Sequence, residues 1–315
     1  MERDPGTPGA GRTRIAAAGA RAATESVFGS STRRADKVAN VAFLLLLLLA
    51  LGIALIALAA ILVWALVEGA PRLSLGLLTE GPSTLNPAGA GYRTAILGTL
   101  YVIGGVILLI VPLGVGAAIY LEEYANRERW YNRLIEVNIQ NLAGVPSIVY
   151  GILGLAFIVR GPLSLGFVAA AGSLTLALLV LPTVIIAARE AIRAVPSSIR
   201  QGALALGATE WQTIGRQVLP AALPGILTGV ILAISRAIGE AAPLLLVGAV
   251  TFVTFNPRFF DGGYSTLPVM IYNYAGRPQE EFRILAAAGI IVMLAMLLAM
   301  NSFAIWIRNR YEQRW

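Results

Sequence analysis

Residues 202–212 read Gly202-Ala203-Leu204-Ala205-Leu206-Gly207-Ala208-Thr209-Glu210-Trp211-Gln212, and the element closes with Val218-Leu219-Pro220. This stretch lies between two long apolar runs, in a segment from 189 to 220 that also carries Arg189, Glu190, Arg193, Arg200 and Arg216. So many ionic groups do not suit a hydrocarbon layer, so the segment is expected in water or against a soluble partner. It reads as a docking element set between membrane spans.

The remainder of the chain supplies the spans. Of 315 residues 57% are hydrophobic and 13% charged, against roughly 45–50% and 25% in a soluble domain. Runs long enough to cross a hydrocarbon core, which takes about 20 helical residues, occur at 41–67, 95–121, 137–159, 161–188 and 284–307. A sixth, about 221–250, is interrupted by Arg236 and Glu240. The runs are continuous and do not alternate, which excludes a closed β-barrel and predicts an all-α integral membrane protein with about six transmembrane helices.

With the N-terminus inside, 17 basic residues fall on inside segments and six on outside ones, which predicts that both termini and the 189–220 loop are cytoplasmic. The net charge of +7 is then a mark of topology and not of nucleic-acid binding. Residues 1–37 are rich in Gly, Ala and Arg without a hydrophobic period and are expected to be a disordered cytoplasmic tail, with the transmembrane part at 38–315. The first run exceeds the apolar core of a secretory signal and is read as an uncleaved anchor.

The chain has no cysteine and no histidine, which removes thiol redox chemistry, the usual zinc sites and His-based acid–base catalysis. Its single lysine, Lys37, stands outside any Gly-rich loop, so no P-loop is present to cradle a nucleotide. No cofactor is expected on this chain; if ATP-Mg drives it, a separate subunit carries the ATPase.

Within the loop, Pro196 suits a first helical turn with Ser197 and Ser198 as caps, and Ile199, Ala203 and Leu206 share a face. Gly207 is suited to a left-handed helix end. Thr209 and Gln212 fit a capping box, and Trp211, Ile214 and Val218 recur at helical spacing. Two short helices with a glycine elbow result, closed by Pro220 where the next span begins. The element resembles the cytoplasmic loop of the permeases of binding-protein-dependent ABC importers, which carries Glu-Ala-Ala, three residues, Gly, and a terminal Leu-Pro. Gln201, Gly202, Ala203, Gly207, Leu219 and Pro220 are the matching positions. Gln201-Gly202 departs from Glu-Ala, so a carboxylate often present there is missing.

Further stretches are similar to the A-type permease of the phosphate-specific (Pst) importer: Gly144-Val145-Pro146-Ser147-Ile148-Val149-Tyr150-Gly151, Ser235-Arg236-Ala237-Ile238-Gly239-Glu240-Ala241-Ala242-Pro243, and Ser265-Thr266-Leu267-Pro268 with Ile271-Tyr272. The resemblance covers about 92–310. It implies a type I importer fold, docking of the ATPase on Ala203, Gly207, Thr209, Trp211, Leu219 and Pro220, a related C-type permease, a dimer of ATPase subunits and an extracytoplasmic phosphate-binding protein.

Independently of family, Arg236 and Glu240 stand four apart in an apolar run, where a lone Arg at mid-bilayer costs about 2.5–3.5 kcal/mol on the insertion scale. They are expected on one helix face, either as a pair fixing helix packing or on a wet substrate pathway. Pro112, Pro146, Pro182 and Pro243 interrupt runs in a way that membrane helices tolerate when neighbours or cavity water satisfy the freed carbonyls, and discontinuous helices often border transport sites in other transporters. Ser147 and Tyr150 follow Pro146 and suit either an oxyanion contact or packing. The aromatic segment 252–274 reads as an interfacial belt or a contact for a binding protein, with a short helix after Thr266. The expected function is one subunit of an ATP-driven phosphate importer; a sulfate or molybdate permease, or an ion-coupled transporter or channel without an ATPase, are the alternatives.

Overall fold

A computed structural model of the chain describes residues 34–83, 86–126, 128–249 and 253–311. The expected tail lies outside these residues up to 33; helix α1 (Arg34–Gly69) already includes 34–37. The most apolar 18-residue stretch of α1 has no buried residue, whereas Ala65 and Gly69 near its end are buried. Residues 1–62 and 63–315 are two compact units, and the second holds everything below.

In chain order the second unit contains α2 (Leu75–Thr79), α3 (Arg93–Ile119), α4 (Trp130–Ala143), α5 (Ser147–Leu153), α6 (Ala169–Arg193), α7 (Ser197–Ala205), α8 (Glu210–Thr213), α9 (Leu219–Gly239), α10 (Ala242–Leu246), α11 (Leu267–Ala275) and α12 (Glu280–Tyr311). Three wide π-helical turns extend α3, α5 and α8: Tyr120–Tyr124, Gly154–Val159 and Ile214–Val218.

α6 is the hub, and its face is smooth where neighbours approach. A Cβ on Gly105 of α3 would stand 2.5 Å from the Ser173 hydroxyl, and one on Gly114 would stand 2.7 Å from Val184. Ser173 donates to the Val102 carbonyl at 3.1 Å and to its own helix at Ala169. Such small-residue contacts bring membrane helices together where no water drives association. Pro112 and Pro182 sit inside helices that continue through them.

α3 and α6 run parallel, because Glu122 just beyond α3 pairs with Arg189 and Arg193 at the end of α6. The chain therefore returns to the other end of the bundle through 130–168. The expected continuous span 137–159 is in fact a bent pair: α4 and the helix Ser147–Val159 meet at 108°. Pro146 disfavours helix at the residue before it, and the bend falls there. α4 is amphipathic and lies at the charged end, held by Glu136 to Arg189, while Ser147–Val159 makes the crossing. Counting this bent pair as one crossing, the described residues have up to six spans by length and composition, five without it. The run 161–188 also begins later than expected, at Ala169, because Ser164 and Gly166 adopt positive φ in a turn.

The segment after residue 252 differs from a plain interfacial belt. Tyr264 and Tyr274 are fully buried, and Tyr274 meets Tyr92 edge-on at 5.8 Å. Burial pushes the Tyr264 phenol up and that of Tyr274 to about 12. Phe255, Phe260 and Tyr272 remain exposed, and the helix expected after Thr266 is α11. Phe252 lies outside the described residues.

Candidate functional site: elbow, rod and intramembrane ion pair

The elbow forms as its local chemistry dictates. α7 ends in a Schellman motif: Ala208 N–H donates to Ala203 O at 3.1 Å and Gly207 N–H to Leu204 O at 2.9 Å, with Gly207 at φ +83. That arrangement satisfies carbonyls a helix end leaves unpaired. α8 then starts with a complete capping box: Gln212 N–H donates to the Thr209 hydroxyl at 3.3 Å, and Thr209 N–H to the Gln212 side chain at 3.0 Å.

Three details depart from expectation. Pro196 itself is the residue before α7, so Ser197 and Ser198 fall in its first turn and do not cap it. Leu206 is 91% exposed and does not share a buried face with Ile199. Trp211 is 68% exposed while Ile214 and Val218 are buried; the wide turn at Ile214–Val218 changes the helical phase between them. Leu204, Leu206 and Trp211 thus form an exposed apolar ridge beside Gly207. Nor does Pro220 close the element. Leu219 N–H reaches back to Ile214 O, Pro220 needs no donor in the first turn of α9, and the helix runs unbroken in its apolar character from Glu210 to Gly239 over 30 residues. At 1.5 Å per residue this is a rod about 45 Å long.

The charges of 189–220 also have partners the sequence did not reveal. Arg189, only 7% exposed, reaches Glu136 at 2.8 Å and Glu122 at 3.6 Å. Arg193 pairs with Glu122 and Glu190, each at 3.0 Å, and Arg200 with Glu123 at 2.7 Å. Arg189 and Arg200 therefore do not face water or a partner, contrary to expectation. The available signal was the Glu122-Glu123 doublet just after an apolar run, at the same end of the bundle as the three arginines.

At the far end of the rod lies the intramembrane pair. Gly229 packs on Ala187, and a Cβ on Gly225 would stand 2.7 Å from Ala191, so α9 and α6 are antiparallel. Carried along the two helices, that register sets Arg236 level with the middle of α6. The expected span 221–250 does not persist: α9 stops at Gly239, and Glu240 is its extended cap residue at φ −80, ψ 116. Arg236 and Glu240 nonetheless meet across one turn at the helix end, with Arg236 Nε 3.5 Å from Glu240 Oε1. Ser235, beside Arg236, donates to Asn301 of α12 at 2.8 Å.

Arg236 is 44% exposed and Glu240 19%, and Leu232, one turn earlier, is also exposed. This charged face of α9 is left partly open by the described residues. Lipid does not accept it at the cost noted above, so it fits a water-filled path or another protein chain. Of the other candidates, Tyr150 is buried, and its hydroxyl donates to the Leu142 carbonyl at 2.8 Å, across the bend. Ser147 is half-buried in the first turn of α5, one turn from Tyr150. α5 is brought to this depth by Gly151, where a Cβ would stand 2.7 Å from Pro243 Cα in α10. The helices that follow the discontinuities at 144–146 and 240–241, α5 and α10, are thus packed against one another.

Comparison with known proteins agrees with this architecture. The chain is 35% identical over 251 residues to a phosphate transport system permease protein PstA of Yersinia pestis, covering 77% of this chain and 82% of that one. It is 35% identical over 223 residues to PstA 1 of Mycobacterium tuberculosis (70% and 71%) and 30% identical over 276 residues to a probable ABC transporter permease, YqgI, of Bacillus subtilis (81% and 92%). Among solved structures, a bacterial alginate ABC transporter in complex with its periplasmic protein matches with TM-score 0.63 at 14% identity, over 89% of this chain and 98% of that chain. The MetNI methionine ABC transporter matches with TM-score 0.54 at 15% identity, over 69% and 92%; both likenesses bear on the fold alone. Residues 110–315 match the model of the binding-protein-dependent transport system inner membrane component, and the chain belongs to that family: it is a permease subunit of a binding-protein-dependent ABC importer with the type I permease fold.

Proposed function

We propose that this chain is the A-type permease subunit of an ATP-driven phosphate importer in the bacterial inner membrane. It forms the translocation pathway with a related C-type permease, docks a dimer of ATPase subunits that bind ATP-Mg, and receives phosphate from an extracytoplasmic binding protein. Both termini and the elbow face the cytoplasm, in keeping with the distribution of Arg and Lys. The observation that carries the reading is the partly exposed Arg236, level with the middle of α6 and at one end of the rod whose other end is the elbow.

The chemistry follows from that placement. Guanidinium holds two oxygens of an oxyanion through charge-assisted hydrogen bonds. In this chain Glu240 is the competing acceptor at 3.5 Å, so the anion enters by exchange with a carboxylate, which keeps its hold on Arg236 from becoming too tight to release. Tyr150 and Ser147 line the same level. ATP-driven closure of the ATPase dimer moves the elbow, and the α8–α9 rod relays the motion to Arg236. Alternating access then requires that the two states differ in these contacts. The affinity for phosphate over other oxyanions is drawn from the phosphate permeases with which this chain shares 35% identity.

The test is the purified complex, with its co-purifying chains identified, reconstituted in liposomes with the binding protein. ATP hydrolysis stimulated by phosphate and ATP-dependent uptake of labelled phosphate are expected, without competition from sulfate or molybdate. Uptake of sulfate or molybdate in place of phosphate overturns the substrate assignment. Uptake that needs no ATPase overturns the importer mechanism.

A further inference from the structure

The two helices of the elbow are fastened to different parts of the molecule. α7 rests on the core through Ile199 and is tied to it by the hydrogen bonds of Arg200. Arg200 Nη2 donates to Glu123 Oε1 at 2.7 Å and to the Ile192 carbonyl at 2.9 Å. Its Nη1 donates to the Val195 carbonyl at 2.7 Å, and its Nε to the same carboxylate at 3.2 Å. Ile192 and Val195 are at the C-terminal end of α6, where carbonyls lack helical partners and the helix dipole is negative, so a guanidinium is the complementary group. Glu123 stands on the wide turn that ends α3 and is 10% exposed. Arg200 thus ties α7 to the ends of both α3 and α6.

α8 is instead continuous with α9 through its wide turn. Between the halves, Gly207 has open space on the side where a Cβ would stand. An open groove of about 160 Å³ lies between α7, α8 and Glu123, lined by Glu123, Arg200, Leu204, Glu210, Thr213 and Ile214. The Thr213 hydroxyl is buried there with no partner among the described residues. The groove leaves room for one half to turn while the other is held.

We propose that Arg200 is the fulcrum of the elbow. It fixes α7 on the α3–α6 core, so that a push on the ridge of Leu204, Leu206 and Trp211 becomes a pivot of α8 about Gly207 and a displacement of the α9 rod. Without it the whole elbow yields, and ATP turnover no longer moves the rod. The proposal rests on the importer reading above, and Arg200 acts here as a positioning residue.

The experiment compares Arg200→Gln, Arg200→Lys and Glu123→Gln with wild type in the complete complex, measuring assembled yield, ATP turnover and phosphate moved per ATP. A second measurement places spin labels at Gln201→Cys and Arg133→Cys, both exposed, in the purified full chain, which has no native cysteine. Arg200→Gln is expected to assemble and hydrolyse ATP within about twofold of wild type while phosphate per ATP falls at least tenfold. Glu123→Gln, which leaves the two carbonyl bonds, falls about threefold, and Arg200→Lys lies between. The spin-label distance distribution broadens in Arg200→Gln. Loss of assembled complex with an unchanged ratio in what remains makes Arg200 a structural residue only and overturns the proposal, as does an unbroadened distribution. A wild-type complex that moves no phosphate refutes the importer reading instead, and the spin-label measurement, which needs no substrate, still decides the fulcrum.

Discussion

Substitution at Gly207 isolates one physical quantity, the left-handed backbone between the elbow helices. Gly207 has φ +83, and no heavy atom stands within 4 Å of an added Cβ. A side chain there meets no neighbour and costs only its own dihedral strain, about 1 kcal/mol for Ala and up to about 2 kcal/mol for a β-branched residue. If docking requires the observed elbow, this strain appears in the affinity for the ATPase: 1.4 kcal/mol is tenfold, so Gly207→Ala weakens binding about fivefold and Gly207→Val about 10–30-fold. Gly207→Asn, which visits the left-handed region readily, stays near wild type. Gly215→Ala is the control, since that position also has open space around it without a positive φ. The assay is titration of the purified ATPase subunit onto the permease in nanodiscs, beside the yield of inserted permease, which is expected to be unchanged. Equal affinities for Val and wild type, or Asn as weak as Val, refute the argument that the backbone conformation at this residue sets the docking surface.

Arg236→Gln is expected to lower phosphate uptake more than tenfold with complex yield retained, and Glu240→Gln to lower it partially by removing the competing acceptor; loss of assembled complex in both marks the pair as structural, measured as yield beside labelled uptake. An impermeant thiol reagent applied from outside is expected to label Ala88→Cys but not Ser198→Cys, both exposed positions, and the reverse result inverts the topology. Gly229→Leu sets a side chain against Ala187 and is expected to cost about 1–3 kcal/mol by overpacking, read as a lower thermal midpoint in detergent, whereas Gly215→Leu leaves the midpoint within a degree or two.

What the sequence disclosed and what it hid divide along the range of the interactions. The glycine elbow and the Thr209–Gln212 box were legible because capping and left-handed backbone are decided within four or five residues. The phase of Trp211 was not, because a wide turn costs no recognisable residue and shifts every later side chain around the helix. Hydropathy located the spans yet joined 137–159 into one, since Ala143, Val145 and Ile148 are apolar on both sides of the bend; Pro146 and the amphipathic pattern of 130–143 were the local marks of it. The same measure ran 221–250 past Gly239, because Leu244 to Val247 are as apolar as a helix although the chain there forms only the short α10 and a turn. The ionic cluster stayed hidden for a different reason: Glu122 and Arg189 are far apart in the chain, and nothing in either segment names the other.

The packing of the rod bears on how it moves. α9 meets α6 through Gly225 and Gly229 set against Ala191 and Ala187, a seam of small residues that brings the backbones close while offering few projections to interlock. Shear of packed helices proceeds in small steps when side chains keep their rotamers, and such a seam asks for few rotamer changes. The opposite holds between α3 and α6, where Ser173 bonds across to Val102 and the paired charges of Glu122, Glu136, Arg189 and Arg193 join the ends. Breaking a buried ion pair by displacing one partner costs roughly 3–5 kcal/mol, so this pair resists sliding where the α6–α9 seam does not. By this argument α3 and α6 are the stiffer pair and α9 the bar that slides more readily along them. Arg236 is on the bar, at mid-depth, and Glu240 is just beyond its end, so a shift of α9 changes the separation of the two charges before it disturbs the frame.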